Sequence, residues 1–347
     1  MPISMTRRAA SLFVGAALLG FAGAAIAADY PAPVALKEGS QADSKALKAG
    51  DKITIAYMPP ATEFNYYIAI GEGIKSAAGK ASVETFMLAP QSGADINGQM
   101  GMIQDAITRN VSAIILSTHD EAAAAPLVKK AVDKGIAVII VNSDIAAFPT
   151  PVHGVVGYSQ RKGTRKLGDY FLGKLGGKPA TIAVIEGLPG YHSTERVGGF
   201  LDAVKGKPGI TIKPSIPGGW NVEGGNTAAM DLLQANPDVK VVFAANDYMI
   251  MGTAIAAKSL GRSGMTLLGN DGDTAALEEI RAGTITATVN TTPFVMGEIA
   301  LQVTLDALKG KFAGGFVETP TQIVDKDNVT PFLQAVDKLY PKPSKSY

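Results

Sequence analysis

The chain has 347 residues, with 32 Lys and Arg against 31 Asp and Glu, 46 % hydrophobic residues and no cysteine. That apolar content can bury a large core, the length favours two lobes over one, and the near-zero charge argues against a nucleic-acid partner. The missing cysteine excludes disulfides, thiolate metal sites, a thiol nucleophile and a cysteine-borne lipid anchor. The three scattered histidines, His119, His153 and His192, argue against a metal site built on imidazoles.

Residues 1–27 carry Arg7 and Arg8, then a small-residue apolar stretch from Leu12 to Ile26, then Ala25-Ile26-Ala27. This is the layout of a secretory signal peptide cleaved after Ala27. The apolar stretch is glycine-broken and shorter than the roughly 20 residues that span a bilayer. The expected product is exported, free of a lipid anchor, and periplasmic. Residues 28–50 carry Pro, Gly and Ser with weak periodicity, and read as a leader over the surface.

From Asp51 onward strand and helix patterns alternate. Lys52–Met58 is a β-branched run; Asn65–Lys80 has helical spacing, with Tyr67, Ile70, Ile74 and Ala78 on one side. Strand Val83–Leu88, helix Asp95–Arg109, strand Ala113–Ser117, helix Ala122–Lys134 and strand Ala137–Val141 follow. After a pause around Pro149–Gly157 the series resumes: Thr181–Ile185, Ser193–Val204, Ile210–Pro214, Thr227–Gln234 and Val239–Ala244. It continues through Tyr248–Leu260, Thr266–Leu268, Thr274–Arg281 and the long helix Val295–Leu308. Uninterrupted apolar runs such as Val138-Ile139-Ile140-Val141 imply strands buried on both faces. The expected fold is α/β: two doubly wound lobes, residues 51–158 plus 293–319 and residues 159–292 plus 320–347, with chain crossings near Tyr158 and Pro293.

Ligands of open α/β sheets bind at the carboxyl ends of the strands. In this chain those ends carry Phe64-Asn65-Tyr66-Tyr67, Asn142-Ser143-Asp144, Tyr191-His192, Trp220-Asn221, Asn246-Asp247 and Asn270-Asp271. Rings cover the C–H patches of a hydroxylated solute, and amides and carboxylates pair with its hydroxyls. The residues also admit plainer roles: Asn246 and Asp271 as turn or helix-cap residues, Trp220 as a wedge between loops, His192 as a cap. Arg196 reads as support for its helix, Glu63 and Asp144 as solvated carboxylates, and Gly71 and Gly73 as helix-packing residues. A phosphate-binding Gly-rich loop, an H-E-x-x-H zinc motif, a G-x-S-x-G elbow and an acidic calcium loop are all missing from the sequence.

From Lys52 to about Asn328 the chain resembles the type I, ribose-binding class of periplasmic solute-binding proteins. The resemblance rests on Val242-Phe243-Ala244-Ala245-Asn246-Asp247, Leu268-Gly269-Asn270-Asp271-Gly272, Arg196-Val197-Gly198-Gly199-Phe200, and Ala287-Thr288-Val289 before Pro293. It implies two Rossmann-like lobes, three hinge crossings, and closure over a small solute, usually a sugar. By position it implies stacking rings at Tyr66, Tyr67 and Trp220, and hydroxyl-holding groups at Asn246 and Asp271. The class's Asp-Arg pair falls on Asn142-Ser143, its ligand arginine on Thr194 and its hinge glutamine on Thr292. On that register the basic part of a ribose site is missing, which points away from a plain aldopentose and towards a sugar alcohol, a deoxy or modified sugar, or another polar solute.

The expectation is therefore a binding protein, not an enzyme, with no cofactor and no metal. Its candidate ligand residues are Tyr66, Tyr67, Asn142, Ser143, Tyr191, His192, Thr194, Trp220, Asn246, Asp271 and Thr292. Its expected partners are a small polar ligand and an ABC permease in the inner membrane; it is expected to be a monomer. The rival expectation is a periplasmic sensor that reports occupancy to a receptor kinase or chemoreceptor. A repressor of the same fold would need a DNA-binding head in place of the export signal.

Overall fold

The computed structural model describes residues 30–47 and 52–335; the expected signal peptide, parts of the expected leader and the C-terminal residues 336–347 lie outside the described residues. The first sheet is fed by β1 (Thr54–Met58), α1 (Asn65–Ala81), β2 (Glu84–Met87), α2 (Ile96–Thr108), β3 (Ala113–Leu116), α3 (Glu121–Asp133), β4 (Ala137–Val141) and β5 (Gly154–Gly157). Next come α4 (Gln160–Leu175), β6 (Ala180–Glu186), α5 (Tyr191–Val204), β7 (Ile210–Ile212), β8 (Ile216–Pro217) and α6 (Val222–Ala235). Then β9 (Val241–Ala244), α7 (Asp247–Ser259), β10 (Thr266–Asp271), α8 (Thr274–Ala282) and β11 (Ala287–Asn290) complete the second series. The chain ends with α9 (Pro293–Leu308), β12 (Phe316–Glu318), β13 (Gln322–Asp325) and α10 (Val329–Gln334).

The strands form two sheets with the same winding. The first runs β2-β1-β3-β4-β5-β12, all parallel. The second runs β7-β6-β9-β10-β11-β13, parallel except where β13 pairs antiparallel with β11. Each order reverses direction beside its first strand, between β1 and β3 and between β6 and β9, which opens a crevice at the carboxyl ends there. The chain passes between the sheets three times: after β5, after β11, and between β12 and β13.

Both faces of the first sheet are buried, which is why its strands read as unbroken apolar runs. Ile55, Tyr57, Ile115, Ile139 and Val141 pack on the side of α1 and α9. Their neighbours Ala56, Met58, Ile114, Leu116, Val138 and Ile140 pack on the other side, against Ile103, Ile107 and Val128. The α1–α9 crossing is close enough to need glycine from both helices. A Cβ on Gly73 would lie 2.0 Å from the Phe294 carbonyl oxygen, and one on Gly297 would lie 2.0 Å from that of Ile70.

The leader residues lie against the outer edge of the first sheet. Val34 bridges antiparallel to Phe316 of β12, Gln41 bridges to Val152, and the Tyr30 hydroxyl donates to Asp306. Two elements, one in the expected pause and one just after it, differ from the sequence reading. β5 is a real strand, though only four residues long and glycine at both ends. α4 is a sixteen-residue helix whose buried face is Gln160, Gly163, Thr164, Leu167, Gly168 and Phe171. Small and polar residues fill positions where an aliphatic stripe would have announced a helix.

Candidate functional site

The carboxyl ends of the two sheets face each other across a cavity. From the first lobe it is lined by Phe64, Tyr66 and Tyr67 at the start of α1, His119 after β3 and Asn142 after β4. From the second it is lined by His192 and Arg196 on α5, Trp220 before α6, Asn246 and Tyr248 around the start of α7, and Asp271 at the end of β10. The rims are in contact. The Asn65 N–H donates to the Tyr248 hydroxyl (3.0 Å), and His119 stacks on Trp220 with ring centres 6.1 Å apart. Asp144 beyond β4 accepts from the Tyr191 hydroxyl (3.1 Å) and from the Gln160 N–H (3.1 Å), both in the second lobe.

The first wall is aromatic and its polar atoms are largely satisfied internally. The Tyr66 hydroxyl donates to Asn142 Oδ1 (2.9 Å) and lies 2.7 Å from the Thr291 hydroxyl; Asn142 Nδ2 donates to the Tyr67 hydroxyl (3.4 Å). Burial raises both phenols above their usual range, so they stay protonated. Phe64 meets Tyr67, His119 and Tyr248 edge-on at 6.0, 6.2 and 5.5 Å. Burial lowers His119 to about 4, and its Nδ1 lies 3.2 Å from the Gly93 carbonyl. A carbonyl only accepts, so Nδ1 carries the proton and Nε2 is left as an acceptor.

The second wall carries the charge. Arg196 is buried and donates through Nη1 to Asp271 Oδ1 (3.0 Å) and the Ala245 carbonyl (3.1 Å), and through Nε to Gln160 Oε1 (3.0 Å). Its guanidinium lies 5.4 Å from the Trp220 ring centre and 5.7 Å from that of Tyr158. Burial disfavours its charge, but Tyr158 and Asp271 outweigh that and hold its pKa above the usual range. Burial pushes Asp271 up to about 6 against the pull of Arg196, leaving it ionised at neutral pH. Neighbouring Asp247 rises well above the usual carboxylate range through burial and then the Asp271 charge.

Asn246 does two jobs: Oδ1 caps α7 by accepting the Met249 N–H, and Nδ2 donates to the Trp220 carbonyl (2.9 Å). The cap role and the cavity position therefore coexist. Three cavity residues hold left-handed backbone without being glycine: Asn142 (φ 61°), Trp220 (φ 70°) and Asp271 (φ 138°). Such conformations cost of order 1–3 kcal/mol each and concentrate at binding sites. Gly187 leaves room for the indole, since a Cβ there would lie 2.0 Å from Trp220 Cζ2.

The cavity brings together Tyr66, Tyr67, Asn142, His192, Trp220, Asn246 and Asp271 from the sequence-derived set. It does not bring in the other four. Thr194 is exposed on α5, its hydroxyl donating to the Gly190 carbonyl (2.9 Å). Ser143 accepts the Ile145 N–H (3.2 Å), Tyr191 is turned to Asp144, and the Thr292 hydroxyl reaches the Pro320 carbonyl (3.4 Å). The reading of Arg196 as helix support, and of the site as lacking a basic group, is corrected: the arginine is in the cavity, two residues beyond Thr194. Thr291, beside Thr292, lies 2.7 Å from the Tyr66 hydroxyl and donates to the Asp271 carbonyl (3.2 Å). Asp144 is also no solvated loop carboxylate, because burial raises its pKa while Tyr191 and Gln160 bond to it. Phe64, His119 and Tyr248 were missed, though each lies at a strand's carboxyl end, where the rim rule points. Among the described residues there is no cluster of His, Cys, Asp or Glu arranged to hold a metal ion, and no helix long and apolar enough to cross a membrane.

Residues 55–312 match the family described as periplasmic binding protein domain. The chain belongs to the periplasmic binding protein family. Within it, the chain is similar to a D-ribose/D-allose-binding protein of Pseudomonas aeruginosa, 29 % identical over 79 % of this chain and 89 % of that one. A periplasmic solute-binding protein of an ABC transporter from Actinobacillus succinogenes, solved with D-allose, superposes with a TM-score of 0.75 at 25 % identity, covering 81 % of this chain and 100 % of that one. The Caulobacter myo-inositol binding protein, solved with myo-inositol, gives 0.74 at 25 % identity over 82 % and 97 %. The fold is thus the type I periplasmic binding protein fold, two doubly wound lobes joined by three crossings.

Proposed function

We propose that this protein is the solute-capturing component of an ABC importer and that it closes over a small sugar or sugar alcohol. The observation that carries this is the composition of the cavity: ring faces on both walls, and Arg196, Asn246 and Asp271 converging from one side. A polyhydroxylated ring or chain offers C–H faces to Trp220 and the tyrosines and hydroxyl pairs to the amide, carboxylate and guanidinium. Charge-assisted bonds of this kind contribute about 1.5–3 kcal/mol each, against about 1 kcal/mol for neutral ones. Ligand shifts the open–closed balance only through contacts made to both lobes together, which is what a cavity lined from both sides provides. The similarity to D-ribose/D-allose-binding and myo-inositol-binding proteins supports the same solute class. With Arg196 in the cavity, plain aldoses belong in that class alongside polyols.

In this reading the signal peptide, residues 1–27, directs export and is cleaved after Ala27, the mature chain works in the periplasm as a monomer, and the closed form docks on a membrane permease. The test is a thermal-shift screen of the mature protein against D-ribose, D-allose, myo-inositol, hexoses, amines and amino acids. A binder raises the apparent melting temperature by mass action. Shifts with sugars or polyols support the proposal; shifts with amines or amino acids alone overturn it.

A further inference from the structure

Outside the cavity a second set of contacts joins the lobes, and it centres on Asp144. This carboxylate follows β4 in the first lobe, and both of its oxygens accept from the second lobe. Oδ2 takes the Gln160 N–H (3.1 Å) and Oδ1 takes the Tyr191 hydroxyl (3.1 Å). Gln160 opens α4 just past the first crossing, and Tyr191 opens α5. Neither helix is capped by its own chain: Ser159 and Gly190, which precede them, make no side-chain cap bond. The first N–H groups of a helix have no partner within it and carry the positive end of its dipole. For α4 the carboxylate that answers both comes from the other lobe.

Tyr191 also reaches across with its ring. Its helix belongs to the second lobe, yet the ring packs against the first lobe's hydrophobic cluster that holds Ile145 and Phe148. The entry to α5 comes close to the first lobe in its own right: a Cβ on Gly190 would lie 3.2 Å from the His119 carbonyl oxygen. Parting the lobes therefore returns ring area to water and exchanges the Asp144–Tyr191 bond for hydration. Neither residue lines the cavity, so what the pair contributes to closure is the same for every solute.

We propose that Asp144 and Tyr191 form a latch that favours the closed form independently of the solute and keeps a closed population present before any solute arrives. Both are positioning residues. The Gln160 bond sits beside the crossing, where lobe motion is smallest, and aims the carboxylate; the Tyr191 bond is the one that closure makes. A solute's apparent Kd is its closed-form Kd divided by the closed fraction, so loss of the latch weakens capture without altering a ligand contact.

The affinity arm of the test rests on the sugar-binding reading, and the first arm does not. The chain has no cysteine, so Ala94→Cys with Glu223→Cys puts two spin labels on facing rims and nowhere else. Both positions are exposed. Ala94 adjoins Gly93, whose carbonyl meets His119, and Glu223 lies three residues past Trp220, on which His119 stacks. Dipolar distances in the full mature protein without solute should include a short, closed population. Asp144→Ala should lower the ratio of short to long distances by about tenfold, and Tyr191→Phe, which keeps the ring, by a few-fold. Asp144→Asn remakes both bonds, Oδ1 accepting from Gln160 and Nδ2 donating to the Tyr191 hydroxyl, and should fall between wild type and Asp144→Ala. A wild type with only the long distance, or an unchanged distribution in Asp144→Ala, overturns the latch. The second arm follows D-allose by stopped flow. In Asp144→Ala its dissociation rate should rise by about tenfold while association does not slow, because solute enters the open form. Unchanged dissociation, or slower association, overturns the link to capture. If neither D-allose nor any other sugar binds, the sugar reading fails alone, and the spin-label arm still decides the latch.

Discussion

The two walls of the cleft are built from unlike materials on matching frames. The first sheet presents phenyl and phenol rings, a neutral imidazole and one amide, and spends most of its polar atoms on itself. The second presents a buried ion pair, a capping amide and the indole. The difference teaches how the work is divided. In the proposed function, the directional bonds to a ligand's hydroxyls come from the second lobe, and the first lobe supplies area and shape. Changes to the second wall should therefore cost more than changes of similar size to the first.

The largest effect expected is from Trp220→Ala. It removes a buried ring that contacts Arg196 and His119, at a cost of about 3–5 kcal/mol in folding stability by the usual range for such truncations. Calorimetry should find binding of the screened sugar lost, and melting should find a lower Tm. Asp271→Asn keeps the shape and removes the charge facing Arg196. The expected loss is about 1.5–3 kcal/mol of binding, roughly a ten- to hundredfold rise in Kd. Gly187→Ala drives a methyl into the indole and should cost about 1–3 kcal/mol in stability, with weakened binding, although no ligand-facing group is altered. Phe64→Leu on the first wall keeps bulk and loses three edge-on ring contacts, for about 0.5–1.5 kcal/mol. If isothermal titration finds Phe64→Leu as harmful as Asp271→Asn, the division of labour between the walls is wrong.

The fold was legible wherever burial leaves a linear trace. β4 reads as Ala-Val-Ile-Ile-Val because both of its faces are covered, and its bounds match the sequence reading. β5 and α4 were not legible, because glycine, threonine and glutamine do there what aliphatic residues do elsewhere. Within the site, residues at sharp strand ends were found because the rim is a topological consequence. Arg196 was misplaced for a helical reason: residues two apart on α5 point to nearly opposite sides, so Thr194 is solvated and Arg196 faces the cavity. A slip of two in register exchanges an inward group for an outward one. His119 was overlooked because a lone histidine has no pattern; only its partner ring from the other half of the chain marks it.

That partner ring is the sole tryptophan of the protein, and it lies against an imidazole contributed by the other lobe. Burial against a neutral imidazole sets the surroundings of the indole emission, and separation of the two rings changes them. The molecule thus carries its own optical gauge of hinge position, readable with ultraviolet light and no attached dye.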